Sequence, residues 1–129
     1  MTAAQRAMAV VEKAQSKYNL PIDHIYCFNW PPNDDLDANK TDVLITEVND
    51  LPTDYGSNQS NMMQETVALN IFYAADSDID FDKFEQPLLN VFENQGWFCN
   101  YSPGHTIDPD TLQTTKVFRF RHKMRKDEI

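Results

Sequence analysis

The chain has 129 residues, 41% hydrophobic and 12% aromatic, enough for one domain with a packed core and too apolar for intrinsic disorder. The formal net charge of −9 is unevenly spread: residues 1–115 hold 18 acids and 5 bases, whereas residues 116–129 hold 6 bases and 2 acids. An acidic body argues against gripping nucleic acid, and apolar runs of at most five residues are too short for a membrane span or signal-peptide core, so the expectation is a soluble protein made in a cytoplasm.

Thr2 to Tyr18 reads as a first helix. Ala4, Ala7, Met8, Val11, Ala14 and Tyr18 recur at three- and four-residue spacings, one apolar stripe. Thr2 suits the N-cap, and Asn19 with Pro21 stops the helix. Ile22 to Trp30 predicts a short strand, ended by Pro31-Pro32, which cannot donate to a ladder. The loop that follows carries Asp34, Asp35 and Asp37 and reads as solvated, since nothing supplies further oxygen ligands at a cation-binding spacing.

Val43 to Val48 is rich in branched residues and predicts a strand. Thr66 to Tyr73 alternates with period two, putting Val67, Leu69, Ile71 and Tyr73 on one face and Thr66, Ala68, Asn70 and Phe72 on the other. Between them, Asn49 to Gln64 is polar and holds Pro52, Gly56, Ser57, Asn58 and Asn61. The expectation is an antiparallel hairpin with a long loop at about residues 49–64 that reaches a partner, because long unstructured connections are uncommon unless functional. Tyr55, Gly56, Ser57, Asn58, Gln59 and Asn61 are its candidate contact residues.

Asp at every second position from Asp76 to Asp82 imitates a calcium loop, but Phe81 and Pro87 stand where glycine and glutamate are needed. Helix capping by Asp78 or Asp80 explains the run more simply. A second helix follows from about Phe81 to Asn94, with Phe81, Phe84, Leu88, Val91 and Phe92 inward and Pro87 inside it; a start near Gln86 is the alternative. Gly96 fits the residue just past the helix, Trp97 to Tyr101 the next strand, and Pro103-Gly104 a type II turn. Leu112 to His122 predicts a last strand with Phe118 and Phe120 on one face and Val117, Arg119 and Arg121 on the other, before a frayed charged end from Lys123 to Ile129. Arg119, Arg121, Lys123, Arg125 and Lys126 form a basic end that suits binding nucleic acid, plain solvation, or docking on acidic protein. Cys27 and Cys99 read as buried free thiols, bridged only if the fold juxtaposes them.

His105 to Thr111 is the densest polar constellation. His105 with Asp108 or Asp110 has the elements of an oriented base, and Ser102 or Thr111 of a nucleophile. No nucleophile-elbow frame, Gly-rich phosphate loop or metal-ligand spacing accompanies them. The simpler reading has Asp108 and Asp110 turning the backbone around Pro109. The sequence therefore predicts a non-enzyme without cofactor or metal.

The run VLITEVNDLPTDYGSNQSNMMQETVALNIFY, with GWFCNYSPGHTIDPDT near the end, resembles a small family of tail components from siphophages of lactic acid bacteria. The likeness covers roughly Asp23 to Phe120 and is carried by Thr46-Glu47, Tyr55-Gly56, Ile71 to Tyr73, Gly96-Trp97 and His105 to Thr111. Such proteins are taken as tail terminators, or tail completion proteins. The resemblance implies a structural virion protein at the head–tail junction, made in the host cytoplasm. It implies a homo-hexameric ring that stops tail-tube polymerisation, contacts tail tube and head connector, and lets DNA pass an acidic lumen without specific binding. In that setting the basic end would dock on a neighbouring copy or another virion protein. A neck or connector adaptor is the alternative within the class, and a small enzyme using His105 and Asp108 the alternative outside it. The expected fold class is α+β: a single mostly antiparallel β-sheet with two α-helices packed on it, in the order α-β-β-β-α-β-β, one domain over residues 1–129.

Overall fold

A computed structural model describes residues 1–30, 37–56 and 59–125. The elements are α1 (Ala3–Tyr18), β1 (His24–Cys27), β2 (Asp42–Gly56), β3 (Gln59–Phe72), α2 (Phe81–Asn94), β4 (Trp97–Tyr101), β5 (Thr106–Ile107) and β6 (Thr114–Arg125). The α+β class and the element order are as expected, with the two-residue β5 added. Strands line up as β1-β2-β3-β6-β4, with β5 beside β6. Among the described residues, β1 runs parallel to β2 and the remaining ladders are antiparallel. Strand β4 is thus parallel to β3 with β6 between them, and α2 makes the crossover.

The helices start where their caps dictate. The Thr2 hydroxyl accepts the Gln5 N–H while the Gln5 side chain accepts the Thr2 N–H, a reciprocal capping box. Asn19 ends α1 in the left-handed conformation (φ 53°). In α2 the Asp80 carboxylate accepts the Asp82 and Lys83 N–H groups, so the aspartate run caps a helix. Helix α2 starts at Phe81 and runs through Pro87, excluding the later start. Gly96 follows it at φ 85°, a conformation a Cβ would penalise.

Both helices cover one face of the sheet. Ala4, Ala7, Val11 and Ala14 of α1 and Phe84, Leu88, Val91 and Phe92 of α2 meet Val43, Ile45, Val67, Leu69, Ile71, Tyr73, Phe118 and Phe120. The alternation read from β3 and β6 therefore gives the correct inward faces. Phe92 and Phe120 stack at 4.1 Å, where α2 lies on β6. Val10 joins the core although it lies off the expected stripe, and Tyr18 is exposed, because α1 also touches α2 and so buries a wider arc.

Several expectations are corrected. Asn49 to Gln64 is no loose loop: β2 continues to Gly56 and β3 begins at Gln59, in register from Asn49↔Thr66 to Gly56↔Gln59. A backbone ladder does not need apolar side chains, and β2 loses its β1 neighbour after Ile45, so Pro52 sits on an edge strand that tolerates it. The hairpin itself stands; its arm is a ribbon. Strand β6 starts at Thr114, because Leu112 is left-handed (φ 62°) in a turn closed by its N–H to the Asp108 carbonyl at 2.8 Å. Lys123 to Arg125 belong to β6, paired with Gln64 to Met62, and do not fray. Pro103-Gly104 forms no type II turn, which needs the positive φ that Gly104 lacks; instead Lys116 Nζ donates to the Pro103 carbonyl. Both thiols are free, but Cys99 is exposed and Cys27, packed against the edge of the core, is only half-buried. They lie on β4 and β1, opposite edges of the sheet, which rules out a bridge. Pro31, Pro32, Asp34, Asp35, Ser57, Asn58 and Lys126 lie outside the described residues.

Ile71 is fully buried at the centre of the sheet. Ile71→Asp is expected to abolish soluble folding, since an unpaired buried charge costs several kcal/mol of a total of roughly 5–15. Circular dichroism and thermal melting check it; a wild-type melt would show that this side chain is not in the core.

Candidate functional site

The candidate contact region is the ribbon made by β2 and β3 beyond the helices. β6 accompanies β3 as far as Arg125↔Met62, so the arm has three strands at its base and two at its tip. Among the predicted contact residues, Tyr55 pairs with Ser60, Gly56 pairs with Gln59 at the turn, and Asn61 is exposed. On the flank of the arm, Val48 and Leu51 expose apolar side chains.

The basic end lies against this arm. Because β3 pairs with both β2 and β6, Lys123 Nζ comes within 3.4 Å of Asp54 Oδ2 across the ribbon, and Arg125 reaches the level of Met62. Arg119, Arg121, Lys123 and Arg125 fall at every second position of β6, on the face the helices leave uncovered. The Arg119 guanidinium sits over the Tyr101 ring at 4.6 Å, and Arg121 is exposed. Two groups of residues picked separately from the sequence are thus neighbours.

At the root of the arm is a buried ion pair that sequence reasoning missed. Glu65 occupies the inward side of β3, in line with Val67, Leu69 and Ile71, and its side chain is 3% exposed. Arg6 of α1 donates Nε to both carboxylate oxygens (3.2 and 3.0 Å) and Nη2 to Oε1 at 2.6 Å. Its Nη1 also holds the Met1 carbonyl at 2.6 Å. His122 of β6 stacks on Trp97 at 4.4 Å and places Nδ1 3.7 Å from Glu65 Oε2. That is beyond hydrogen-bond length, so Arg6 supplies the bonds and His122, when protonated, supplies charge. Burial alone would raise the proton affinity of Glu65; His122 and Arg6 outweigh it and hold the carboxyl below the usual carboxylate range. The Glu65 bonds likewise push the Arg6 guanidinium up. A Glu at the position where alternation calls for an apolar residue was the available signal.

The His105 segment is arranged differently from the catalytic alternative. His105 Nε2 is 2.8 Å from Glu85 Oε2 of α2, and its ring stacks on Phe81 at 4.8 Å. Glu85 also accepts the Tyr73 hydroxyl; burial and that bond raise the Tyr73 phenol far above its usual value. Asp108 Oδ1 accepts the Asp110 N–H at 2.9 Å, and Thr111 Oγ1 accepts the Gln113 N–H at 3.3 Å. His105 is therefore paired with Glu85 and not with Asp108, whose carboxylate turns the backbone around Pro109. Local side-chain-to-backbone bonds are favoured by aspartate and threonine in such turns. Among the described residues no cluster of three His, Cys, Asp or Glu groups converges closely enough to hold a metal ion.

A depressed carboxyl stabilises the fold above its unfolded value of about 4.3 and loses that contribution as pH falls through the lower folded value. Glu65→Gln should cost about 2 kcal/mol at neutral pH, the worth of hydrogen bonds to a charged group. The deficit relative to wild type should shrink as pH drops below about 4. Urea denaturation of both proteins across that range measures it; a constant deficit would mean that Glu65 is not held ionised.

No curated protein matches the chain significantly. The chain does match a family described as a protein of unknown function, DUF806, over residues 4–125, from the start of α1 to the end of β6. That match spans the helices, the sheet, the ribbon and the Arg6–Glu65–His122 clasp, and the chain therefore belongs to the DUF806 family.

Proposed function

We propose that the chain is a structural virion protein, a tail terminator that forms a ring, caps the tail tube and joins it to the head connector. The observation that carries this reading is a basic row on the sheet face that the helices leave open, running along β6 from Arg119 and Arg121 over the core to Lys123 and Arg125 at the base of the ribbon. A body with an excess of acid and a strand with an excess of base give one molecule both signs in separate places, which suits head-to-tail contacts between identical copies. The resemblance of the ribbon residues to siphophage tail components points the same way. The acidic remainder would line a lumen that DNA passes without sticking.

Arg119 and Arg121 test the contact between copies. Exposed charge pairs are worth about 0–1 kcal/mol each, so losing two per interface weakens association by up to about thirtyfold. Salt acts in the same direction, since the Debye length falls from about 10 Å at 0.1 M to about 3 Å at 1 M. Arg119→Glu/Arg121→Glu is expected to shift purified protein toward monomer in sedimentation velocity runs, and salt to do so for wild type. Oligomers indifferent to both would leave the basic row outside the contact.

A further inference from the structure

The uncovered sheet face carries a cavity of about 240 Å³ with walls of two kinds, lined by Trp30 and Phe72 and by Asp37, Asp42 and Asp108, with Gln113 at its edge. The fold builds it from separate pieces. Asp42 and Phe72 face each other in register across β2 and β3, so their side chains share a face. Trp30 meets Phe72 edge-on at 4.9 Å and is itself met by Tyr26 at 5.5 Å, which gives the aromatic wall a fixed shape. Asp37 is set by accepting the Asn39 N–H at 2.9 Å, and Asp108 by accepting the Asp110 N–H at 2.9 Å. Gln113 Nε2 ties the two loops together through the Lys40 carbonyl at 3.4 Å. Asp42 is 3% exposed, with His24 Nδ1 2.9 Å from its Oδ1.

Three carboxylates beside an aromatic corner select a cation, and among the described residues no lysine or arginine lines the cavity. Among the described residues the three carboxylates do not converge as a metal-ligand cluster. A space below the roughly 300–1,000 Å³ of sites for drug-sized ligands suits a side chain and not a whole cofactor. A guanidinium is the cation that fits: it is planar, stacks on aromatic faces, and spreads its five N–H donors around an edge where separated carboxylates can accept them. We propose that this cavity binds the guanidinium of an arginine side chain presented by another polypeptide. The inference does not depend on the ring reading.

The test is an NMR titration of the isotope-labelled full chain with N-acetyl-arginine amide, following the Trp30 and Trp97 indole N–H signals. The control ligand is N-acetyl-citrulline amide, which has the same shape without the charge. Asp37→Asn/Asp108→Asn removes two charges, while the asparagine carbonyl still accepts the backbone N–H that each aspartate holds. Expected are a saturable shift of Trp30 in the millimolar range, none at buried Trp97, no response to citrulline, and affinity about tenfold weaker in the double variant. No shift at Trp30, an equal shift with citrulline, or unchanged affinity in the folded double variant would overturn the proposal. Sedimentation of the same variant distinguishes the source: weakened self-association means a second copy supplies the arginine, and unchanged association means a different protein does.

Discussion

A carboxylate buried beside a hydrophobic core must be given partners, and Glu65 receives them from two other elements at once. Arg6 brings the first turn of α1 to it, and His122 brings β6. Breaking the pair is costly, because it leaves one charge without compensation, although Arg6, with 22% of its side chain exposed, keeps some water and holds the cost near the lower end for such pairs. The clasp therefore pins the helix and both strands in one register. On one side of Glu65 along β3 come Val67, Leu69 and Ile71, fully buried; on the other come Met63, Met62 and the exposed Asn61. Glu65 marks the boundary between packed core and projecting arm.

That boundary separates two physical regimes. Below it, stability comes from apolar area shielded by α1 and α2, with Phe92 stacked on Phe120 and Tyr73 meeting Phe84 edge-on. Above it, Met124 of β6 is the last buried side chain, Thr53, Met62 and Met63 are half-buried, and toward the tip the strands pair chiefly through backbone hydrogen bonds. A ribbon of this kind adds little to the stability of the domain that carries it, which is the situation expected of a segment kept for contacts with other molecules. The uncovered face of the sheet divides likewise, with aromatic and acidic side chains around Asp42 at one end and the basic row of β6 at the other.

What could be read in the sequence follows the same division. Period-two alternation in β3 and β6, spacing in α1 and α2, and the capping residues Thr2, Asn19 and Asp80 are local signals backed by burial, so they named the elements and most of their inward faces, with Val10 and Tyr18 of α1 the exceptions. The ribbon was hidden because a strand without a buried face has no hydrophobic period to display. The bulge between Glu47 and Asn49 obscured it further: it reverses the alternation of β2, so that Leu51 joins the open face that Leu44 and Thr46 occupy. The partners of His105 and Glu65 were beyond local reading, since Glu85 and Arg6 arrive from other elements. Even so, Glu65 and His122 extend the inward series of β3 and β6 by one step, and a charged residue at such a step was legible as a buried pair in waiting. The exposure of Cys99 depended on β4 being an edge strand, a property of topology and not of its five residues.

The proposed role rests on the arm acting in assembly while the core holds the fold. The direct measurement is electron microscopy of lysates in which phage lacking this protein are complemented by a variant whose Tyr55 to Asn61 tip is replaced with a short Gly-Ser linker. The variant's thermal melt is first matched to wild type, so that folding is not in question. Finished heads and finished tails lying separate, beside a folded variant, are the expected result. Joined, infectious particles at wild-type frequency would contradict it and remove the arm tip from assembly.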